Sequence, residues 1–170
     1  EITAFSHGGV MLSSGGGHRI HHNFIHHCQY NGLGYGVVHD VAASLIEFNL
    51  FDFNRHSIAG TGRPGSGYIA RHNVELGESL SHCFDMHGGR DRGDGTSIAG
   101  DWVRIHHNTF RCTSARAVVI RGVPQQPSQV YGNWFFHAEP GDGVFAPWPV
   151  GGDTNIECRD NAYGAEQPTV

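Results

Sequence analysis

The sequence predicts an all-β fold, a right-handed parallel β-helix (solenoid) of about six coils, and three observations lead to this prediction. Asn recurs along the chain, always three residues after a small or apolar residue. Successive copies are 24 to 35 residues apart, which is the length of three short strands and three turns. The composition, with 25 Gly and only 16% charged residues, favours short strands joined by tight turns. The recurring residues are Asn23, Asn49, Asn73, Asn108, Asn133 and Asn161.

Alternation along the first strand of each coil assigns its residues to the inside or the outside. The residues three before each Asn are expected inside: Ile20, Ile46, Ala70, Ile105, Val130 and Cys158. The residues two before each Asn are expected outside: His21, Glu47, Arg71, His106, Tyr131 and Arg159. The residues directly before the Asn are expected inside again, as an internal stack of rings: His22, Phe48, His72 and His107.

A second strand follows in each coil, and its apolar residues suggest an alignment. One inward column is predicted to contain Val38, Ile58, Met86 and Ile120. The outward column after it then contains His39, Ala59, His87 and Arg121. The outward column before it contains Val37, Ser57, Asp85 and Val119. Neighbouring coils lie about 4.8 Å apart, so His87 and Arg121 are expected side by side on one face.

Charge and composition exclude several classes of partner. The net charge is −5, which argues against nucleic acid, and all 11 basic residues are Arg. No apolar run is long enough to span a membrane, and no signal peptide is visible. We expect residues 1–170 to be a single domain, taken from a secreted or cell-surface protein and potentially a fragment of a longer chain. The four cysteines form no CxxC pair and are interpreted as buried thiols: Cys28, Cys83, Cys112 and Cys158.

One coil is longer than the others, and the surplus is a charged, Gly-rich loop at residues 89–96. Long loops on repeat scaffolds often carry function. This loop follows Asp85 and His87, which alternation places on one face of their strand. A carboxylate beside an imidazole can orient the ring and assist proton transfer. The loop at residues 60–67, one coil earlier, is expected to form the other wall of a groove.

The repeat resembles the pattern of the pectate-lyase-like superfamily of parallel β-helix proteins, in which stacked Asn side chains form a ladder. Residues 82–87 also resemble the active-site strand of mannuronan C5-epimerases and related polysaccharide lyases, which reads Tyr-Gly-Phe/Ile-Asp-Pro-His. Phe84, Asp85 and His87 match that motif, whereas His82 and Met86 replace its Tyr and Pro. The epimerases also use a Lys, and this chain has none.

The resemblance implies a carbohydrate-active enzyme that removes the C5 proton of a uronate in an acidic polysaccharide, as a lyase or an epimerase. In this interpretation His87 is the base, Asp85 its orienting partner, and His82 the acid. Arg121 neutralises the sugar carboxylate. The substrate-binding candidates are His39, Arg63, Arg90 and Arg92. The reaction requires no cofactor, although a Ca²⁺ held by Asp40, Asp91 or Asp94 could replace the missing Lys charge.

Two alternatives remain open at this stage. A glycoside hydrolase would pair Asp85 with Asp91 or Asp94 across the groove. A non-catalytic carbohydrate-binding or structural repeat module would leave Asp85 and His87 as a solvated pair. The adjacent pairs His21-His22, His26-His27 and His106-His107 look like metal ligands. Neighbouring residues of a regular strand face opposite sides, however, so no pair is expected to chelate one ion.

Overall fold

The computed structural model describes residues 1–146 and 154–166, and it is an all-β parallel solenoid of about six turns. The only helix in this part of the chain is α1 (Gly89–Arg92), which lies in the surplus loop. The strands, in chain order, are β1 (Ile2–Thr3), β2 (Gly8–His21), β3 (Phe24–His26), β4 (Tyr35–Glu47), β5 (Leu50–Asp52), β6 (His56–Gly60), β7 (Gly67–Arg71), β8 (Val74–Glu75), β9 (His82–Met86), β10 (Trp102–His106), β11 (Thr109–Phe110), β12 (Arg116–Ile120), β13 (Ser128–Tyr131), β14 (Trp134–Phe135), β15 (Phe145–Ala146), β16 (Ile156–Arg159) and β17 (Ala162–Tyr163).

The strands form two parallel sheets, each built from corresponding strands of successive coils. The smaller sheet has the order β1-β3-β5-β8-β11-β14-β17. The larger sheet has the order β15-β12-β9-β6-β4-β7-β10-β13-β16, with β2 paired to β4. The long strands β2 and β4 join the two arms of this sheet, because β4 pairs with β6 through its first half and with β7 through its second.

The asparagine ladder predicted from the repeat is present. From Asn49 to Asn161, the Oδ1 of each ladder Asn accepts from the backbone N–H and the side-chain Nδ2 of the Asn one coil earlier, at 2.9–3.1 Å. The apolar column is also in register, since Ile105 pairs with Ala70 on one side and Val130 on the other. Ile105 is fully buried. The columns of the first strand are therefore predictable from the sequence, although Glu47 of the outward column is fully buried, because Arg19 and Arg71 pair with its carboxylate and cover it.

The rings before the ladder lie outside the solenoid, so the prediction of an internal stack is wrong. His22, Phe48, His72 and His107 have φ between 52° and 55°, the left-handed region. This geometry reverses the chain at the corner and lets the following Asn turn inward, whereas the ring points to solvent. Neighbouring rings stack at 5.1–5.4 Å between centroids, and all are exposed.

The predicted register of the second strand is correct only in part. Met86 pairs with Ile120 as expected, but Ile58 pairs with Phe84. Val38 pairs with Ala59 and therefore belongs to the column of Asp85. Strict alternation fails here because Cys83 and Phe84 are consecutive and both belong to the core.

The same shift corrects the position of His39, which was expected on the outward face. His39 lies in the buried column with Gly60 and is fully buried. Its Nε2 contacts Ser44 Oγ at 2.5 Å and its Nδ1 lies 3.3 Å from Ala59 O. Its burial lowers its pKa to about 4, so the ring is neutral in the core. Its side chain packs in the core, although the residue contributes to the lining of the first cavity described below.

The four cysteines are free thiols, and three of them are buried, as expected; Cys158 is half-buried. In the part of the chain that the structure describes, no helix has the length and apolar character needed to cross a membrane.

Candidate functional site

Asp85 is the centre of a polar cluster on the outer face of β9, and its side chain has no exposed surface. Arg121, directly after β12, donates to both carboxylate oxygens, from Nη2 to Oδ2 at 2.6 Å and from Nε to Oδ1 at 3.1 Å. His87 Nε2 lies 3.0 Å from Oδ2, and His82 Nε2 lies 3.4 Å from Oδ1. The parallel register brings these groups together because Asp85 and Met86 pair with Val119 and Ile120. The four residues expected at the catalytic centre are therefore adjacent.

The carboxyl group of Asp85 is ionised under all ordinary conditions. Burial alone would raise its pKa, because a charged group is poorly solvated inside a protein. Hydrogen bonds from His82, His87 and Arg121 outweigh burial and hold the pKa of Asp85 well below its usual range. Asp85 can therefore orient and stabilise a cationic neighbour, but it has no proton to donate.

In either neutral tautomer of His87, the Nε2 atom has a hydrogen-bond partner. This atom lies 3.0 Å from both Asp85 Oδ2 and Arg121 Nη2. With a proton it donates to Asp85, and without one it accepts from Arg121. In the first form Nδ1 carries the lone pair, and no hydrogen-bond partner of Nδ1 occurs among the described residues. The side chain is 26% exposed and lines the second of the cavities described below.

His56 is a member of the cluster that the sequence did not predict. It is fully buried on β6, stacked between Tyr35 and His82. Its Nδ1 donates to the His82 carbonyl at 2.8 Å, so its Nε2 is free to accept from Arg55 Nη1, also at 2.8 Å. Burial lowers the pKa of His56 to about 3, and the ring is neutral. The correct register of Ile58 with Phe84 would have placed His56 in the column of His82.

Two cavities form a groove on the face beside His87. The first, of about 230 Å³, reaches Asp40 and Arg63, and the second, of about 170 Å³, reaches His87. Residues shared by the two linings are His7, Val38 and Thr61. The second lining also contains Leu33, Tyr35, Ala59 and Gly60. The groove thus joins the predicted base to the loop at residues 60–67.

The predicted substrate-binding arginines differ in their availability. Arg63 is 57% exposed and pairs with Asp40 at 3.1 Å. Arg90 is exposed and has no ion-pair partner within the described chain. Arg92 is occupied by the protein: it donates to the Thr61 and Ile98 carbonyls and to Asp94. Arg92 therefore fixes the surplus loop against the groove.

The carboxylates expected to hold Ca²⁺ are also engaged. Asp91 accepts from Arg121 Nη1 at 3.2 Å and from the backbone N–H of Gly88 at 3.1 Å. Asp94 accepts from Thr96 and Arg92. A cation at either carboxylate would have to displace a guanidinium. These contacts therefore do not support the predicted Ca²⁺ site.

Among the described residues, the one group of three or more side chains spaced for a metal ion is His56, His82 and Asp85. Arg121 Nη2 already lies 2.6 Å from Asp85 and 3.4 Å from His82 Nε2. Arg55 donates to His56 Nε2. The guanidinium of Arg121 thus supplies the positive charge at this centre.

Comparison with protein families, with curated proteins and with solved structures finds no match for this chain. The site is therefore interpreted from its own geometry.

Proposed function

We propose that this chain acts on an acidic, uronate-containing polysaccharide by abstracting the proton at C5, as a lyase or an epimerase. The observation that carries the proposal is the contact of His87 with a buried, permanently ionised Asp85 at the end of a groove. The motif resemblance to the epimerase strand points to the same residues. The pectate-lyase-like ancestry belongs to this proposal, as does the location at the cell surface or outside the cell.

His87 has the features of a general base. Asp85 accepts from Nε2 and stabilises the imidazolium that forms when Nδ1 takes a proton. The C5 proton moves to Nδ1, and the electron pair of the broken C–H bond delocalises into the sugar carboxylate. Return of a proton from His82 to the opposite face gives the epimer. Departure of the 4-O-linked sugar, whose oxygen takes a proton from His82 as the C4–O bond breaks, gives an unsaturated product.

Neutralisation of the sugar carboxylate is assigned to Arg121, which needs one of its donors to be released. Its Nε and Nη2 are held by the buried Asp85, whereas Nη1 contacts Asp91, whose side chain is 30% exposed. Asp91 is the partner that a substrate carboxylate can replace, because it lies on the surplus loop at the surface. Arg90, which has no ion-pair partner in the described chain, can bind a second uronate along the polymer.

The hydrolase alternative is weaker because it requires one protonated carboxyl group as the acid. Asp85 is held ionised, and Asp91 and Asp94 both accept from guanidinium groups. The binding-module alternative requires no particular protonation state of these residues. A measurement of turnover distinguishes it from the catalytic proposal.

A panel of polyuronates tests the proposal. Incubation in deuterated buffer should produce ultraviolet-absorbing unsaturated ends, or deuterium at C5 without cleavage, on at least one polymer. The first outcome assigns a lyase and the second an epimerase. New reducing ends without unsaturation would replace the proposal with hydrolysis. Binding without either change would replace it with a non-catalytic module.

A further inference from the structure

Three pairs of adjacent histidines bring their ring nitrogens together at the surface, against the expectation from strand alternation. The Nδ1 atoms of His21 and His22 are 2.9 Å apart. Those of His26 and His27 are 2.7 Å apart, and those of His106 and His107 are 2.8 Å apart. In each pair the rings are nearly perpendicular, with interplanar angles of 83–89°.

The left-handed turn at each corner explains this convergence. The second histidine of every pair has φ between 53° and 54°. In an extended strand it would point away from its neighbour, but this conformation rotates its ring back to the same side. Phe48 and Phe53 hold corresponding positions with φ of 55° and 48°, so the turn itself does not require histidine.

The spacing of the nitrogens selects a coordination geometry. With metal–nitrogen bonds of about 2.0–2.1 Å, nitrogens 2.7–2.9 Å apart subtend roughly 80–90° at the ion. A tetrahedral site needs a wider angle, whereas square-planar and tetragonal sites of Cu²⁺ or Ni²⁺ use angles near a right angle. Water molecules can complete the remaining positions of an ion held at the surface.

The pair His26-His27 already has one ring in the form that a metal needs. His26 Nε2 lies 2.8 Å from Glu1 Oε1, and a carboxylate only accepts, so Nε2 carries the proton. The lone pair of a neutral His26 is therefore on Nδ1, where it accepts from His27 Nδ1 at 2.7 Å and from the Thr3 hydroxyl at 3.3 Å. Asp52 pairs with His26 in the adjacent strand, and its buried Oδ1 has no hydrogen-bond partner in the described chain. The carboxylate of Glu1 therefore favours a cation at this pair, and Asp52 adds a negative charge on the neighbouring strand.

The other two pairs have less favourable surroundings. His21 is next to Glu47 in register, but Glu47 is already paired with Arg19 and Arg71. At His106 the fixed charges nearby are those of Arg71 and Arg104, and both are positive. The local charge is thus most favourable to a cation at His26-His27 and least favourable at His106-His107.

We propose that the three histidine pairs are bidentate surface sites for Cu²⁺ or Ni²⁺, and that His26-His27 binds most tightly. The ion takes both Nδ1 lone pairs, and the proton shared between the two rings moves through solvent to the second ring's Nε2. Glu1 accepts from His26 Nε2 and so fixes the orientation of the ligand ring, as carboxylates do at many metal-bound histidines. This inference is independent of the polysaccharide proposal, because none of the six histidines contacts Asp85 or lines the groove.

Titration of the untagged chain with Cu²⁺ tests the inference, with the stoichiometry from calorimetry and the coordinated nitrogens from electron paramagnetic resonance. We expect three sites with nitrogen hyperfine coupling, and weaker binding of Zn²⁺ than of Cu²⁺. His22→Phe, His27→Phe and His107→Phe should each remove one site, and the fold should persist because Phe48 and Phe53 occupy equivalent corners. Glu1→Gln should weaken the tightest site roughly 10-fold.

His18→Gln is the matched control, because His18 is not part of a pair and bonds Ser14 O instead. It should leave the three sites intact. A triple His22→Phe, His27→Phe and His107→Phe chain that still binds copper with unchanged stoichiometry and nitrogen coupling would overturn the inference. So would equal affinity for Cu²⁺ and Zn²⁺ in the unmodified chain. Circular dichroism confirms that each variant is folded before the titration is interpreted.

Discussion

Single residues depart from their columns at a few positions, and Glu75 is the clearest case. It occupies a column that otherwise contains Phe51 and Phe110 in the neighbouring coils. Its side chain is fully buried, and neither oxygen has a hydrogen-bond partner in the described chain. The Ser57 hydroxyl, whose oxygen accepts from Asn54, lies near enough to favour the charged form of Glu75, but its effect is smaller than that of burial. Burial therefore raises the pKa of Glu75 to about 8.

Glu75→Gln tests this assignment through the pH dependence of stability. The folded state keeps the Glu75 proton up to about pH 8, whereas the unfolded state loses it near pH 4.3. The folded state binds more protons in this window, so the free energy of unfolding falls as the pH rises. The Glu75→Gln variant has no such proton to lose. Its free energy of unfolding should therefore rise relative to that of the unmodified chain by up to roughly 1.4 kcal/mol per pH unit. Urea unfolding at pH 5 and pH 8 measures the difference; an equal difference at both values would contradict the assignment.

Arg121 is also a structural partner, because it pairs with a carboxylate that has no exposed surface. Arg121→Ala should cost on the order of 2–3 kcal/mol, less than for a fully buried pair because Arg121 is 28% exposed. Arg121→Lys should recover part of this loss, since one ammonium cannot replace the two-pronged guanidinium. Arg63→Ala breaks an exposed pair and is the control, with an expected loss below about 1 kcal/mol. Urea unfolding at pH 7 measures the free energy of unfolding of each variant. Arg121 variants as stable as the unmodified chain would contradict a stabilising buried ion pair.

At the scale of strands and turns, the sequence predicts the first strand of each coil and fails on the second. The ladder Asn is a unique anchor, so the columns containing Ile105 and His106 follow directly from counting. The second strand has no such anchor. Its consecutive residues Cys83 and Phe84 both point into the core, so more than one alignment of the apolar residues is possible. The position of His87 beside Arg121 was nevertheless predictable, because those two coils align correctly. The burial of His39 and the role of His56 depend on the coils where the alignment failed.

The strand columns predict unequal costs for neighbouring substitutions on β10. Ile105→Ala should cost about 2–5 kcal/mol, because it leaves a cavity in a fully buried column. His106→Ala removes a ring stacked on Tyr131 at the surface, which is worth about 1 kcal/mol or less. Denaturant titrations of the two variants measure both values. Equal losses would show that the assignment of inside and outside on this strand is incorrect.

At the scale of the whole molecule, the candidate site depends on three successive coils being in register. His56 lies on β6, Asp85 on β9, and Arg121 after β12, so no single coil contains the cluster. Coils of a solenoid contact only their neighbours, and the site therefore reports on the stacking of these three. The surplus loop adds Asp91 to the same cluster, and Arg92 anchors that loop to Thr61 beside the groove.

Turnover by His87→Ala on the polyuronate identified in the panel tests the central claim most directly. His87 is partly exposed and belongs to no core cluster, so the variant should fold normally and lose at least about 100-fold in kcat, as expected for a general base. His21→Ala, which removes an exposed histidine that lines neither cavity, should keep the unmodified rate. Product formation by His87→Ala at the rate of the His21→Ala control would contradict the assignment of His87 as the base and the catalytic function with it.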